Sequence, residues 1–382
     1  MRENTKLLHG YKVLDTYTGA ASIPIYQTST FHNKHLYDDS QEYLYTRFSN
    51  PTVDALEDGF RSLEDSKYAL SFSSGMAAIS NVLMLLNAGE HVILPKEVYG
   101  GTCQFVNNLL PKYKIEYTFV DMADIESVEK AIRENTRMIY LETPSNPLLR
   151  VTDIARLAKL AHEKGALVVV DNTFLTPYYQ KPLKFGADIV VYSATKYIGG
   201  HADVIAGVVT TNDEKLAERI AFMKNTLGAT LSPLEAYSLI KGLKTLSVRF
   251  DRQSQNTLQI IDFLKNSDAV KAIHYAGSYS AEEKAVQEAQ ASGIGALISF
   301  ELKDGYDKNI FVKNLELFDL AVSLGGVESL ICHPASMTHE SYDKALQEKI
   351  GISDGLLRLA IGIENADDLI FDLEQAIKKA KI

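Results

Sequence analysis

Two cysteines, Cys103 and Cys332, are all that the 382 residues contain. They stand far apart without the paired spacing of a metal knuckle, so a disulfide-stapled scaffold is excluded. Both thiols are expected to be free, which fits a reducing cytoplasm. Zinc has no better support elsewhere: His32 and His35 lack Cys or acidic partners at ligand spacing, and His333 beside Cys332 is one isolated pair. No metal site is expected. Positive charge is also scarce, with 39 Lys and Arg against 49 Asp and Glu and a net charge of −10. The bulk charge therefore favours neither nucleic acid nor an anionic membrane. No apolar run approaches the roughly 20 residues that span a bilayer, and Met1-Arg2-Glu3-Asn4-Thr5-Lys6 has no apolar signal core. A cytoplasmic protein that stays where it is made is expected. Phosphate motifs of other classes are missing as well. No Gly-x-x-x-x-Gly-Lys-Ser/Thr occurs, and Gly293-x-Gly295 runs into Ile298 where a dinucleotide fingerprint needs a small residue. ATPase and nicotinamide readings fall accordingly.

What is present is a large apolar inventory, 46% hydrophobic against 23% charged residues, enough for a large domain plus a smaller one. There is no internal repeat and no low-complexity tract. Residues 1–50 are rich in Tyr, Thr, Asn and Gln with weak periodicity, which predicts an extended arm able to clasp a second subunit. From there to about residue 245, short apolar runs at 68–72, 91–94, 138–141, 167–170, 189–192 and 204–210 alternate with amphipathic stretches. That alternation predicts an α/β domain over 51–245, a mostly parallel sheet with helices on both faces. Beyond a helical stretch at 246–265 the pattern is mixed, with strand candidates at 295–300 and 357–361 and a terminal helix at 366–379. Residues 246–382 read as a smaller α+β domain.

Ligands of open parallel sheets gather at the carboxyl ends of the strands, and three such ends carry chemistry. The run 189–192 delivers Ser193-Ala194-Thr195-Lys196. A lysine after a strand is ordinarily a solvated charge. Here Ser193 and Thr195 lie three and one residues before it, so an amine able to form an imine has two hydroxyls nearby that can hold a phosphate. That combination points to pyridoxal phosphate. Asp171, after the run 167–170, reads by itself as a helix cap or turn, yet beside Lys196 its carboxylate suits a protonated pyridine nitrogen. Ser73-Ser74-Gly75-Met76 opens a helical stretch where small residues and free amides favour an anion.

Seven segments then carry a resemblance in chain order: Tyr45 to Thr52, Ser73 to Ala77, Tyr99 to Thr102, Glu142 to Pro147, Asp171 to Thr173, Ser193 to His201, and Ser323 to Ser329. Together they resemble the signatures of the cystathionine synthase and lyase family, the pyridoxal-phosphate enzymes of cysteine and methionine metabolism. The resemblance implies fold type I, with a large sheet domain, a smaller C-terminal domain and an N-terminal arm. It implies pyridoxal 5'-phosphate held by Lys196, faced by Asp171 at its ring nitrogen, and bound at its phosphate by Gly75, Met76, Ser193 and Thr195. Tyr99 would stack on the ring and share in proton transfer. Asn146, Ser323 and Arg358 match positions that bind the substrate carboxylate or the ring oxygen, and Tyr45 and Arg47 match residues that reach the neighbouring subunit's phosphate. A homotetramer built from two tight dimers is implied too. Read alone, Arg358 is equally a paired structural arginine, Tyr99 a core aromatic, Arg47 a surface ion-pair partner and Ser323 an ordinary turn residue.

The expected activity is a carbon–sulfur lyase of the cystathionine β/γ-lyase type acting on a sulfur amino acid such as L-cystathionine. Methionine γ-lyase is the alternative; a γ-synthase-type transferase and a non-catalytic pyridoxal-binding protein rank lower. Family members that handle the far amino group of cystathionine often carry an acid at the positions of Leu44 and Val322, and these apolar residues favour a neutral thioether. Gly101 opposes that reading, since methionine γ-lyases usually have Cys there. Lys224 resembles a lysine of that subgroup, but Asn225 replaces its following Asp.

Overall fold

The computed structural model describes the chain apart from residues 12–14, 16, 34, 37–40 and 341, so parts of the expected arm lie outside the described residues. A seven-stranded sheet contains β1 (Tyr68–Phe72), β2 (His91–Pro95), β3 (Glu116–Val120), β4 (Thr136–Glu142), β5 (Leu167–Asp171), β6 (Ile189–Ser193) and β7 (Gly207–Thr211) in the order β1-β7-β6-β5-β4-β2-β3. β7 runs antiparallel to both its neighbours, and the other six strands share one direction. Their carboxyl ends therefore open on one edge.

The central strands are buried on both faces, which is why they read as continuous apolar runs. Ile139, Leu141, Val168, Val170, Val190 and Tyr192 pack with Leu56 and Phe60 of the Pro51–Glu64 helix. The alternate residues Met138, Tyr140, Val169, Ile189 and Val191 pack with Ile79 and Val82 of the Gly75–Leu83 helix. Because side chains alternate with period two, Glu142 shares the face of Tyr140, Asp171 that of Val169, and Ser193 that of Val191. Three polar strand ends thus point to the same side.

A second sheet contains β8 (Val270–His274), β9 (Leu297–Leu302), β10 (Asp319–Leu320), β11 (Leu330–Cys332) and β12 (Leu356–Ala360) in the order β10-β11-β12-β9-β8. The 33-residue helix Pro233–Lys265 and the terminal helix Ala366–Ala380 cover it through Ile260, Leu264, Leu369 and Leu373. Ser299 Oγ on β9 donates to Pro147 O at 2.7 Å, tying this sheet to the loop that follows β4.

Several elements differ from the sequence reading. Residues 3–9 of the expected extended arm form a helix, with Leu7 buried. The long helix begins at Pro233 and passes unbroken through residue 245. β3, β8, β10 and β11 were not foreseen: β3 and β8 interleave polar residues, as in Glu116-Tyr117-Thr118-Phe119-Val120, and β10 and β11 are only two and three residues long. Cys103 and Cys332 are both free and buried.

One buried group makes the packing of β6 sensitive to pH. Tyr192 on β6 donates its hydroxyl hydrogen to Glu64 Oε2 and accepts from Asn172 Nδ2 at 3.2 Å, while Glu64 Oε1 is buried without a partner among the described residues. Burial raises the Glu64 carboxyl from 4.5 to about 8. The fold therefore holds a proton that the unfolded chain releases. The resulting stability is complete below about pH 4.5 and is lost as pH rises towards 8, at ~1.4 kcal/mol per pH unit. Thermal unfolding of Glu64→Gln is expected to gain on the parent by several degrees between about pH 5 and pH 8. A pH-independent difference would show that Glu64 is not protonated in the fold.

Candidate functional site

The strand ends and the second sheet meet around a cavity of about 800 Å³. One wall starts at β1, whose end leads into Ser74, the cap of the Gly75–Leu83 helix: Ser74 Oγ accepts from Ala77 N at 3.0 Å. The N–H groups of Gly75 and Met76 precede the first intrahelical bond and are left for an anion. A Cβ on Gly75 would sit 2.8 Å from Ser193 Cβ and Oγ, so glycine keeps the space between helix start and strand end open. Ser193 and Thr195 line the same wall, and Thr195 Oγ1 also accepts from Ala206 N at 3.0 Å and donates to Ala206 O at 3.2 Å.

The floor is acidic. Glu142 and Asp171 are register partners on β4 and β5. Asp171 Oδ1 accepts from Thr173 N at 3.0 Å and Thr173 Oγ1 at 2.6 Å, and Oδ2 accepts from Tyr140 OH at 3.1 Å. Burial nevertheless raises its carboxyl, because no cation among the described residues pairs with it. Glu142 is raised further by burial and by Asp171, and its Oε1 accepts from Tyr99 N at 2.9 Å. Tyr99 thus has its backbone fixed by Glu142, while its ring stays 43% exposed towards the cavity. Burial, then Glu142 and Asp171, push the Tyr99 phenol up.

Lys196 lies one turn beyond β6. Its Nζ donates to Ser323 Oγ at 2.7 Å, and burial, then Arg358, lowers its amine from 10.5 to about 8. Ser323 has φ of +85°, a conformation costly for a side-chain-bearing residue, of order ~1–3 kcal/mol. The loop presses closely on the lysine, since a Cβ on Gly325 would lie 2.6 Å from Tyr197 N. Arg358 comes from β12, is 2% exposed, and donates through Nη1 to Asn146 Oδ1 at 2.6 Å and through Nη2 to Ser323 O at 3.0 Å. Its Nε is buried without a partner among the described residues, leaving a donor for an incoming carboxylate.

Ten of the twelve candidate residues therefore line one cavity: Gly75, Met76, Tyr99, Asn146, Asp171, Ser193, Thr195, Lys196, Ser323 and Arg358. Tyr45 and Arg47 do not. Arg47 Nη1 donates to Asn225 O at 2.8 Å, and its guanidinium lies over the Phe48 and Tyr45 rings, 4.7 and 5.5 Å from their centroids. Glu142, quoted only as the start of a resembling segment, and Tyr140, Met337, Thr338 and Glu340 were given no role from the sequence. Glu142 ends a strand as Asp171 does, a signal that was available, whereas nothing local announces that 337–340 folds over the cavity.

The donor set fits pyridoxal phosphate: a desolvated amine, a free helix start kept clear by Gly75, and a buried carboxylate lacking a cation. Amine-selective labelling of the cofactor-free protein is expected to modify Lys196 with a midpoint near pH 8, well below the 10.5 of ordinary lysines. A midpoint near 10.5 would show that the amine is solvated.

Residues 4–378 match the family model described as Cys/Met metabolism PLP-dependent enzyme. The chain is 48% identical over 375 residues to a cystathionine beta-lyase of Lactococcus lactis subsp. cremoris, covering 98% of each chain. It is 46% identical over 391 aligned residues to an L-methionine gamma-lyase of Fusobacterium nucleatum subsp. nucleatum, again with 98% of each covered. The structure of a cystathionine gamma-lyase from Lactobacillus plantarum complexed with L-serine superposes with a TM-score of 0.97 at 43% identity, covering 100% of this chain and 99% of that one.

Proposed function

The chain belongs to the Cys/Met metabolism PLP-dependent enzymes, and from that membership we propose a carbon–sulfur lyase that releases thiol and ammonia from a sulfur amino acid such as L-cystathionine, leaving a 2-oxo acid. The fold is type I, and the cofactor is pyridoxal 5'-phosphate. The observation that carries the activity is the convergence of Lys196 and Arg358 on Ser323, at 2.7 and 3.0 Å, with Arg358 Nε buried and unpartnered among the described residues. When bound, the cofactor supplies a conjugated sink for the electron pair left on a substrate carbon.

The residues divide the remaining work. Lys196 would hold the cofactor through Nζ and, once freed by the incoming amino acid, carry protons on and off the substrate carbons. An amine near pKa 8 is neutral in about a tenth of molecules at pH 7, on the order of 300-fold more than an ordinary lysine at 10.5, so it can accept the Cα proton. Asp171 would hold a proton at the ring nitrogen, gaining the cation it lacks. Gly75, Met76, Ser193 and Thr195 would hold the phosphate, and the Tyr99 ring would lie against the cofactor. Arg358, with Asn146 and Ser323, would orient the substrate carboxylate. Tyr45 and Arg47, outside the cavity of their own chain, would serve a second copy through the arm over 1–50, in a homotetramer of two dimers. We place the protein in the cytoplasm, in keeping with two free thiols; among the described residues no helix is long and apolar enough to cross a membrane.

Methionine γ-lyase is the second reading, favoured by the apolar Val322 on the cavity wall. Gly101 weighs against it. A Cβ there would lie 2.7 Å from Tyr99 Cε1 and 2.9 Å from Met76 Sδ, so these two side chains fill the space a cysteine would use.

Product analysis by mass spectrometry after incubation with L-cystathionine, L-methionine or L-cysteine tests the activity. A 2-oxo acid with homocysteine or cysteine is expected from cystathionine. Methanethiol from methionine with cystathionine untouched would install the second reading, and absence of any 2-oxo acid would overturn both. Arg47→Ala is expected to lower pyridoxal phosphate occupancy of the purified oligomer several-fold; unchanged occupancy in an intact dimer would remove Arg47 from the site.

A further inference from the structure

Among the described residues three carboxyl groups line the cavity, and two are already engaged. Asp171 accepts three hydrogen bonds and Glu142 accepts one from Tyr99 N, at a half-buried and a buried strand end respectively. The third, Glu340, is exposed and makes no ion pair or hydrogen bond among the described residues. Met337 and Thr338, which precede it in the chain, and Val322 and Ile205, which also line the cavity, carry no charge.

The backbone bearing Glu340 is nonetheless held. His339 N donates to Pro334 O at 2.9 Å, and Gln347 Nε2 donates to Ala335 O and His339 O, each at 2.9 Å. On the other side, Tyr342 OH donates to Val98 O at 2.8 Å, one residue from Tyr99. The segment leaves β11 at Cys332, the register partner of Arg358. A fixed loop thus carries a free carboxylate to a cavity whose cations, Lys196 and Arg358, lie deeper and more buried.

That charge order matches a substrate with its α-carboxylate inside and a cation on its far arm. Resting on the lyase reading, we propose that Glu340 is a specificity-determining residue that receives the distal ammonium of a sulfur amino acid with a zwitterionic tail. It takes the place of the acids absent at Leu44 and Val322. A charge-assisted bond of this kind, made by only one of two competing substrates, separates them without altering the chemistry at Cα.

The test compares holoenzyme with Glu340→Gln and Glu340→Asp, using kcat/KM for L-cystathionine relative to that for L-methionine. The Gln variant is expected to lower this ratio about tenfold, ~1.4 kcal/mol, chiefly through KM for cystathionine, and Asp is expected to recover part of it. Calorimetric binding of 2,6-diaminopimelate against 2-aminopimelate, which lacks the distal ammonium, reads the same preference without turnover. Loss of that binding preference in Glu340→Gln supports the role even if neither thioether is cleaved, an outcome that would sink the lyase reading alone. An unchanged ratio and unchanged binding preference, or equal losses on both ligands of each pair, would overturn the role of Glu340.

Discussion

The buried guanidinium of Arg249 is the constraint on which the site's geometry rests. It pairs with no carboxylate among the described residues. Instead Nη1 donates to Tyr197 O at 2.9 Å, Nη2 donates to Gly242 O at 2.7 Å and Nε donates to Thr245 Oγ1 at 3.1 Å. Burial lowers its guanidinium to about 10, a measure of how fully the charge is taken from water. Leaving such a group unsatisfied costs several kcal/mol, ~3–5 by comparison with broken buried pairs, so the carbonyl of Tyr197 is held where Arg249 needs it. Lys196 is the residue before. One turn further along the same helix, Gln253 Nε2 donates to Gly326 O at 2.7 Å and Ile361 O at 3.0 Å. A single rigid rod therefore positions the lysine loop, the Ser323 loop and the strand of Arg358 together.

The floor of the cavity follows from a different rule. Parallel neighbours in register place Glu142 and Asp171 side by side on one face, and two carboxyl groups so close and so buried cannot both ionise without a counter-charge. The fold supplies neutral donors, Tyr140, Thr173 and the Tyr99 amide, and among the described residues no cation. This leaves the floor with an electrostatic deficit that a cationic ring nitrogen removes. A binding site can thus be recognised from what its own residues leave unpaired.

The sequence made most of this site legible because strand ends are local events. Lys196, Asp171 and the Ser74-Gly75 turn each follow an apolar run, and the period-two alternation of those runs is enough to send Asp171 and Ser193 to one side. β3 and β8 were illegible for the converse reason: Glu116-Tyr117-Thr118-Phe119-Val120 and Val270-Lys271-Ala272-Ile273-His274 interleave polar and apolar residues as loops do. Glu340 was illegible for a third. Its place on the cavity wall depends on Tyr342 reaching Val98, a contact across 244 residues for which no local pattern exists. The specificity argument built on Leu44 and Val322 was incomplete because it counted acids by position in the chain, whereas the cavity gathers them by position in space.

The reactivity of Lys196 is consequently a property of the junction between the two sheets. The strand β6 brings the amine to the edge of the large sheet, but its lowered pKa comes from burial and from Arg358, and both the Ser323 loop and Arg358 belong to the second sheet's side. Ser299 Oγ bound to Pro147 O fixes that side against the β4 loop, which also carries Asn146 to Arg358. Without this docking the lysine would be a solvated cation at the end of a strand, the ordinary fate of such a residue. The strained φ of Ser323 is sustained by the same junction, where the Ser323 oxygens meet Lys196 Nζ and Arg358 Nη2. Catalytic competence therefore depends on the packing of the smaller sheet, and a substitution that loosens the junction also exposes the amine.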